Sequence, residues 1–129
     1  MVIATHGTLA SGLLAAAEMI VGPAPSARAV DFHNGMGVDE LTRRVTLAVD
    51  EVADNSPVLV LVDLAGGSPS RVSATLAMDG RTEVLTGVNL PMVIAAMTDD
   101  DAGLSDIAAA GRSGIDVYGT SMVKGGGLR

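Results

Sequence analysis

Pro57 is followed by Val58-Leu59-Val60-Leu61-Val62, an unbroken apolar run that stops at Asp63. A run this short, bounded by a proline and a polar turn, reads as a strand. Both alternating sets of side chains are apolar, so both faces of the strand are buried, as in the interior of a parallel sheet. Such a strand needs helices on two sides, and the rest of the chain is patterned to supply them.

Val2 to Thr5 reads as a second buried strand, followed by a helix over Thr8–Val21, with Leu9, Leu13, Ala16 or Ala17, and Ile20 on one face. Gly22-Pro23 ends that helix. Arg28–Phe32 is a strand, Asn34-Gly35 and Gly37 a turn, and Val38–Val52 a helix. After Asp63, Gly66-Gly67-Ser68-Pro69 opens a helix to about Met78, with Ser68 as N-cap and Pro69 at the first helical position. Thr82–Thr86 is a fourth strand, and Pro91 opens a helix to about Met97. Asp99-Asp100-Asp101 reads as cap and first turn of a helix from about Ala102 to Gly111, where acids suit the dipole. Ile115–Tyr118 is expected as a last strand, and Lys124–Arg129 as a frayed end or the start of a linker. The alternation implies an α/β fold, a doubly wound and mostly parallel sheet with helices on both faces.

Composition narrows the function classes. The 129 residues make one domain by size, and 48% apolar content argues against disorder. Phe32 and Tyr118 are the only aromatics, so Ala, Val, Leu and Met fill the interior, and the methionines are core filler and loop residues. A net charge of -7, with Arg43-Arg44 the only adjacent basic pair, argues against nucleic acid. The absence of cysteine excludes disulfides and thiolate metal sites, and no metal or cofactor is expected. No apolar run reaches the roughly 18 residues of a membrane span, and the start lacks the basic region of a signal peptide. A cytoplasmic protein without direct membrane insertion is the expectation.

In doubly wound sheets chemistry gathers at the carboxyl ends of the strands. Three such ends carry polar residues: His6, Asp63 with Gly66-Gly67-Ser68, and Asn89. A phosphoryl-accepting histidine needs one free ring nitrogen, a hydrogen-bond partner for the other, and donors for the phosphoryl oxygens. Asp63 is the candidate partner. Gly7 and Thr8 at one helix start, and Gly66, Gly67 and Ser68 at another, are the candidate donors, with Asn89 grouped beside them. Each also has an ordinary reading, as loop residue, turn, strand-to-helix connection or helix cap. His33 follows the second strand and reads as an exposed turn residue, with a second base or half of a metal pair as the alternatives. A Ser68-His6-Asp63 hydrolase triad is a weaker rival, since a helix-capping serine is a poor nucleophile.

The same segments carry a resemblance. Val2-Ile3-Ala4-Thr5-His6-Gly7, Leu61-Val62-Asp63-Leu64-Ala65-Gly66-Gly67-Ser68-Pro69 and Gly87-Val88-Asn89-Leu90-Pro91-Met92 occur in the order and spacing of one family. In these segments the chain resembles the IIA component, mannose class, of the bacterial phosphoenolpyruvate:sugar phosphotransferase system, over about residues 1–118. The resemblance implies that His6 takes a phosphoryl group from phospho-HPr and passes it to a IIB domain. IIC and IID membrane components then act indirectly. It implies that Asp63 holds Nδ1, that Nε2 carries the phosphoryl group, and that Ser68 and glycine-loop amides bind its oxygens. It further implies a homodimer that exchanges a C-terminal antiparallel edge strand, matched in position by Ile115–Tyr118. Residues 1–120 would form the IIA domain, and 121–129 a tail or linker start.

Two departures stand out. Ala65 occupies a place where many members have a bulky residue, and His33-Asn34-Gly35-Met36 replaces what is more often a Pro-Gly turn. A phosphorylation-dependent regulator uncoupled from sugar transport is the alternative function. The sugar itself is chosen elsewhere in such a system.

Overall fold

The computed structural model describes residues 1–119. The apolar run after Pro57 is strand β3, Val58–Val62, the third of four. In chain order the elements are β1 (Val2–His6), α1 (Leu9–Val21), β2 (Arg28–Phe32), α2 (Val38–Val52), β3, α3 (Ser68–Met78), β4 (Thr82–Leu85), α4 (Leu90–Thr98) and α5 (Leu104–Ser113). The strands lie in the order β2-β1-β3-β4 and every pairing is parallel. β1 and β3 are the inner strands, as their two-sided apolarity requires.

The alternation of side chains sorts the core into two layers. Val2, Ala4, Val58, Val60 and Val62 face α2 and α3, where they meet Leu41, Val45, Val49, Val72 and Leu76. Ile3 and Leu61 face α1, α4 and α5, and pack with Ala10, Ala17, Met92, Val93 and Ile107. Aliphatic side chains fill both layers. Among the described residues the buried polar side chains are Thr5, Ser70, Ser73 and Thr82, and each makes a hydrogen bond.

β1 and β3 are neighbours in register, Ala4 beside Val62, yet their following helices depart to opposite faces: α1 to one, α3 to the other. This divergence opens a crevice at their carboxyl ends, the place where doubly wound sheets bind ligands. His6 closes β1 and Asp63 follows β3 at that point.

Three expectations shift. Gly67, not Ser68, caps α3; its extended backbone (φ -71°, ψ 165°) turns the chain so that Ser68 is the first helical residue. The triple aspartate does not open α5. Asp99 caps the end of α4 and its Oδ1 accepts the Asp101 amide (3.0 Å), while the cap of α5 is Gly103, whose N–H donates to Asp106 (3.0 Å). Ile115–Tyr118 forms no strand. Ile115 to Val117 have no regular structure and their side chains are exposed, with Ile115 at the rim of a groove lined by Leu85, Thr86 and Gly87. Among the described residues the sheet has four strands, and the expected antiparallel edge strand is not among them. The expected tail, residues 121–129, lies outside the described residues. Among the described residues no helix is long and apolar enough to cross a membrane.

Candidate functional site

The site starts from a buried hydroxyl. Thr5, fully buried in β1, accepts the Ala10 amide at Oγ1 (2.7 Å) and donates to the His6 carbonyl (3.2 Å). One side chain thus ties the end of the strand to the first turn of α1. Gly7 then adopts φ +60°, a left-handed conformation that costs glycine little, and its N–H donates to Phe32 O (2.9 Å). These contacts fix the backbone that carries the His6 ring.

Asp63 fixes the ring itself. Its Oδ2 accepts from His6 Nδ1 (2.9 Å) and from the His6 amide (3.1 Å), and its Oδ1 accepts the Leu64 amide (3.0 Å). A carboxylate only accepts, so Nδ1 carries the hydrogen and Nε2 of the neutral ring keeps its lone pair. Partial burial pushes the Asp63 carboxyl up, but donation from the His6 ring and the backbone amides outweighs it and holds the group below its ordinary value. The His6 side chain is 45% exposed and Asp63 18%, so the carboxylate is sheltered while the ring is open. Phe32, opposite His6 on β2, stands edge-on to the imidazole at 5.8 Å between centroids.

Gly67 forms the wall beside the ring. A Cβ there would sit 2.7 Å from His6 Cε1 and 3.5 Å from Nε2, so a glycine is required by close approach rather than by its φ of -71°. Gly66 before it has φ +83°, which does require glycine. Ser70, which sequence reasoning passed over, holds this turn: its Oγ accepts the Gly66 amide (2.9 Å) and donates to Gly67 O (3.0 Å).

Hydrogen-bond accounting narrows the amide donors. Gly7, Gly66 and Gly67 already donate to Phe32 O, Ser70 Oγ and Leu64 O. In α1, Ala10 and Ser11 donate to Thr5 and Asp31. The amides of Thr8, Leu9, Ser68 and Ser70 have no partner among the described residues, and Pro69 has no N–H to offer. The Ser68 hydroxyl is likewise without one.

The structure brings His6, Asp63, Gly66, Gly67 and Ser68 together, with Gly7 and Thr8 leading into α1. Asn89 is employed elsewhere. Its Oδ1 accepts the Met92 amide (3.1 Å) and caps α4, and its Nδ2 donates to Gly111 O in α5 (2.9 Å). Oδ1 is thus spent on the cap and one Nδ2 hydrogen on the tie to α5, so the second Nδ2 hydrogen is what Asn89 has to offer a phosphoryl group. His33 is exposed in the turn after β2, beside a groove lined by Asp31, Arg44 and Glu51, and takes no part in the His6–Asp63 pair. Among the described residues no group of three or more His, Cys, Asp or Glu side chains is placed to hold a metal ion.

Thr5, Phe32 and Ser70 were not singled out from the sequence. A hydroxyl in a strand or helix pattern carries no local signal of its partner five or four residues away. Phe32 is legible only once β1 and β2 are aligned.

Comparison with known proteins fits this geometry. The family model "PTS system fructose IIA component" (EIIA-man) matches residues 1–110. The PTS system mannose-specific EIIAB component of Escherichia coli strain K12 is 33% identical over 122 residues, covering 89% of this chain but 38% of that protein. The chain therefore spans well under half the length of that relative. The PTS system fructose-specific EIIA component of Bacillus subtilis is 31% identical over 99 residues, 76% of this chain and 68% of that one. The PTS IIA protein associated with the fucose utilization operon of Streptococcus pneumoniae superposes with a TM-score of 0.83 at 28% identity, over 93% of each chain. A clasped histidine at the switch point of a four-stranded parallel sheet and a family match that spans the whole sheet lead to one placement: the chain belongs to the mannose/fructose IIA family of the phosphotransferase system.

Proposed function

We propose that the protein is a phosphocarrier in which His6 Nε2 takes a phosphoryl group from phospho-HPr and hands it to a IIB domain. The observation that carries this reading is the Asp63 clasp on Nδ1 and the main-chain N–H of His6, which leaves Nε2 as the free nucleophile beside Gly67.

The transfer balances without a free proton. The Nε2 lone pair attacks phosphorus, an N–P bond forms, and the donor's N–P bond breaks with its electron pair returning to the donor imidazole. The His6 ring becomes cationic while Nδ1 keeps its hydrogen, and the adjacent Asp63 carboxylate stabilises that charge. Passage to the IIB domain reverses these bond changes. Such transfer depends mostly on positioning and electrostatics, so few side chains suffice. The unpaired amides of Thr8, Leu9 and Ser68, with the Ser68 hydroxyl, are the donors we assign to the phosphoryl oxygens.

The half-open ring suits meeting another protein's histidine. An acidic chain, net charge -7, favours partners that bring Arg or Lys to the encounter. We further infer a homodimer in which Ile115–Tyr118 of each subunit pairs with the sheet of the other. IIC and IID components act downstream of the IIB domain.

The test is incubation with phosphoenolpyruvate, enzyme I and HPr, followed by detection of an acid-labile phosphoryl adduct. Wild type should acquire one phosphoryl group and His6→Ala none. Equal labelling of the two, or none in wild type, overturns the reading.

A further inference from the structure

We propose that Ser70 is a positioning residue for phosphoryl transfer, acting through the glycine turn that walls the His6 ring; the proposal rests on the phosphocarrier reading. Ser70 is 7% exposed, so it touches neither solvent nor a docking partner to any extent. Its single hydroxyl does two jobs at once, accepting the Gly66 amide at 2.9 Å and donating to Gly67 O at 3.0 Å. It therefore pins the peptide groups on both sides of the Gly66–Gly67 link.

That link needs pinning. Two successive glycines have the widest conformational freedom of any dipeptide, and Gly66 is held at φ +83°. The position of Gly67 matters to a fraction of an ångström, because its α-carbon faces His6 Cε1 closely enough that a Cβ would lie 2.7 Å away. The same turn sets where Ser68 begins α3 and so where its amide and hydroxyl point. Asp63 holds the ring from the Nδ1 side, and the Ser70-pinned turn bounds it on the Cε1 and Nε2 side. Misplacement of reacting groups by about 1 Å costs up to about a hundredfold in rate, so a loosened turn should lower the rate without unfolding the protein. Gly66 is exposed, and water can take the place of the lost hydroxyl.

The experiment compares Ser70→Ala with Ser73→Ala. Ser73 lies on the same helix, is fully buried, and donates to Pro69 O (2.7 Å) away from the ring, so it controls for the loss of one buried hydroxyl in α3. Phosphohistidine formation is followed against phospho-HPr concentration, and the His6 Cε1–H resonance is recorded alongside. Ser70→Ala should lower the maximal rate about tenfold, leave the half-saturating phospho-HPr concentration unchanged, and move the Cε1–H signal. Ser73→Ala should leave all three unchanged, whatever it does to the melting temperature. A wild-type maximal rate in Ser70→Ala, an unmoved Cε1–H signal, or an equal rate loss in Ser73→Ala overturns the proposal. The clamp is also read in wild type, where the Gly66 amide should resist hydrogen exchange despite its exposure; exchange at the unprotected rate overturns it even if Ser70→Ala does not fold. If wild-type protein gains no phosphoryl group, the phosphocarrier reading falls and takes the catalytic meaning of Ser70 with it. An active wild type with an indifferent Ser70→Ala removes Ser70 alone.

Discussion

At His6 a single imidazole is bounded by a carboxylate on one side and a glycine α-carbon on the other. Gly67→Ala places a methyl 2.7 Å from Cε1 at a backbone conformation that alanine accepts, so the ring must move rather than the chain. We expect the melting temperature to change by only a few degrees while phosphohistidine formation falls about a hundredfold, as displacement of a reacting group allows. A rate within twofold of wild type would refute the close-approach argument. Asp63→Asn keeps the side chain's shape but replaces one of its two accepting oxygens with a donor and removes the charge that, in the proposed mechanism, meets a cationic phosphorylated ring. Transfer should slow at least tenfold with the fold intact, measured by phosphorylation kinetics and circular dichroism. The carboxyl also marks stability against pH. Its folded-state pKa is lowered, so its contribution is fully present above the unfolded value of about 4 and is lost as pH falls through the folded value. In urea titrations wild type should exceed Asp63→Asn at pH 6, and the gap should close below about pH 4; a gap that is constant across this range contradicts the linkage.

At the scale of elements, the connections after the strands decide which polar residues serve chemistry and which serve structure. Asn89 has the placement of a site residue, at the end of β4, yet it caps α4 and ties α4 to α5 through Gly111 O. Asn89→Ala removes a cap of about 1 kcal/mol and one of two donors to Gly111 O, which keeps the Gly114 amide, for a loss of about 1–2 kcal/mol in all. Chemical denaturation should show that loss while phosphorylation stays within about twofold at temperatures where the variant is folded. A rate loss beyond tenfold without destabilisation would return Asn89 to the site. The first turns of α1 and α3 show the same division. Thr5, Asp31 and Ser70 satisfy some loop and helix-start amides, and those of Thr8, Leu9 and Ser68 are left over.

At the scale of the whole molecule, Ile115, Val117 and Tyr118 are 80%, 71% and 83% exposed, an apolar segment left largely uncovered by the described residues. If a second subunit covers it, Ile115→Asp with Val117→Asp should convert a dimer to a monomer in sedimentation equilibrium, while the His6–Asp63 pair, which involves neither residue, is kept. A wild type that sediments as a monomer across micromolar concentrations would end the dimer proposal.

Much of this protein was legible before any coordinates. Periodicity placed all four parallel strands and five helices to within a few residues, because a two-sided apolar strand and a one-sided helix leave different marks at short range. His6, Asp63 and the Gly66-Gly67-Ser68 loop were legible too, since residues at strand ends converge once the sheet is parallel. The tertiary structure decided what depends on contacts distant in the chain. It spent the Gly7, Gly66 and Gly67 amides on internal hydrogen bonds, tied the capping residue Asn89 to Gly111 O, moved the cap of α3 to Gly67, and left Ile115–Tyr118 out of the sheet. The physical reason is the same throughout. Local sequence sets conformational preference and burial, whereas each buried or loop polar group must find a particular partner, and only the packed chain determines which partner lies within 3 Å or so.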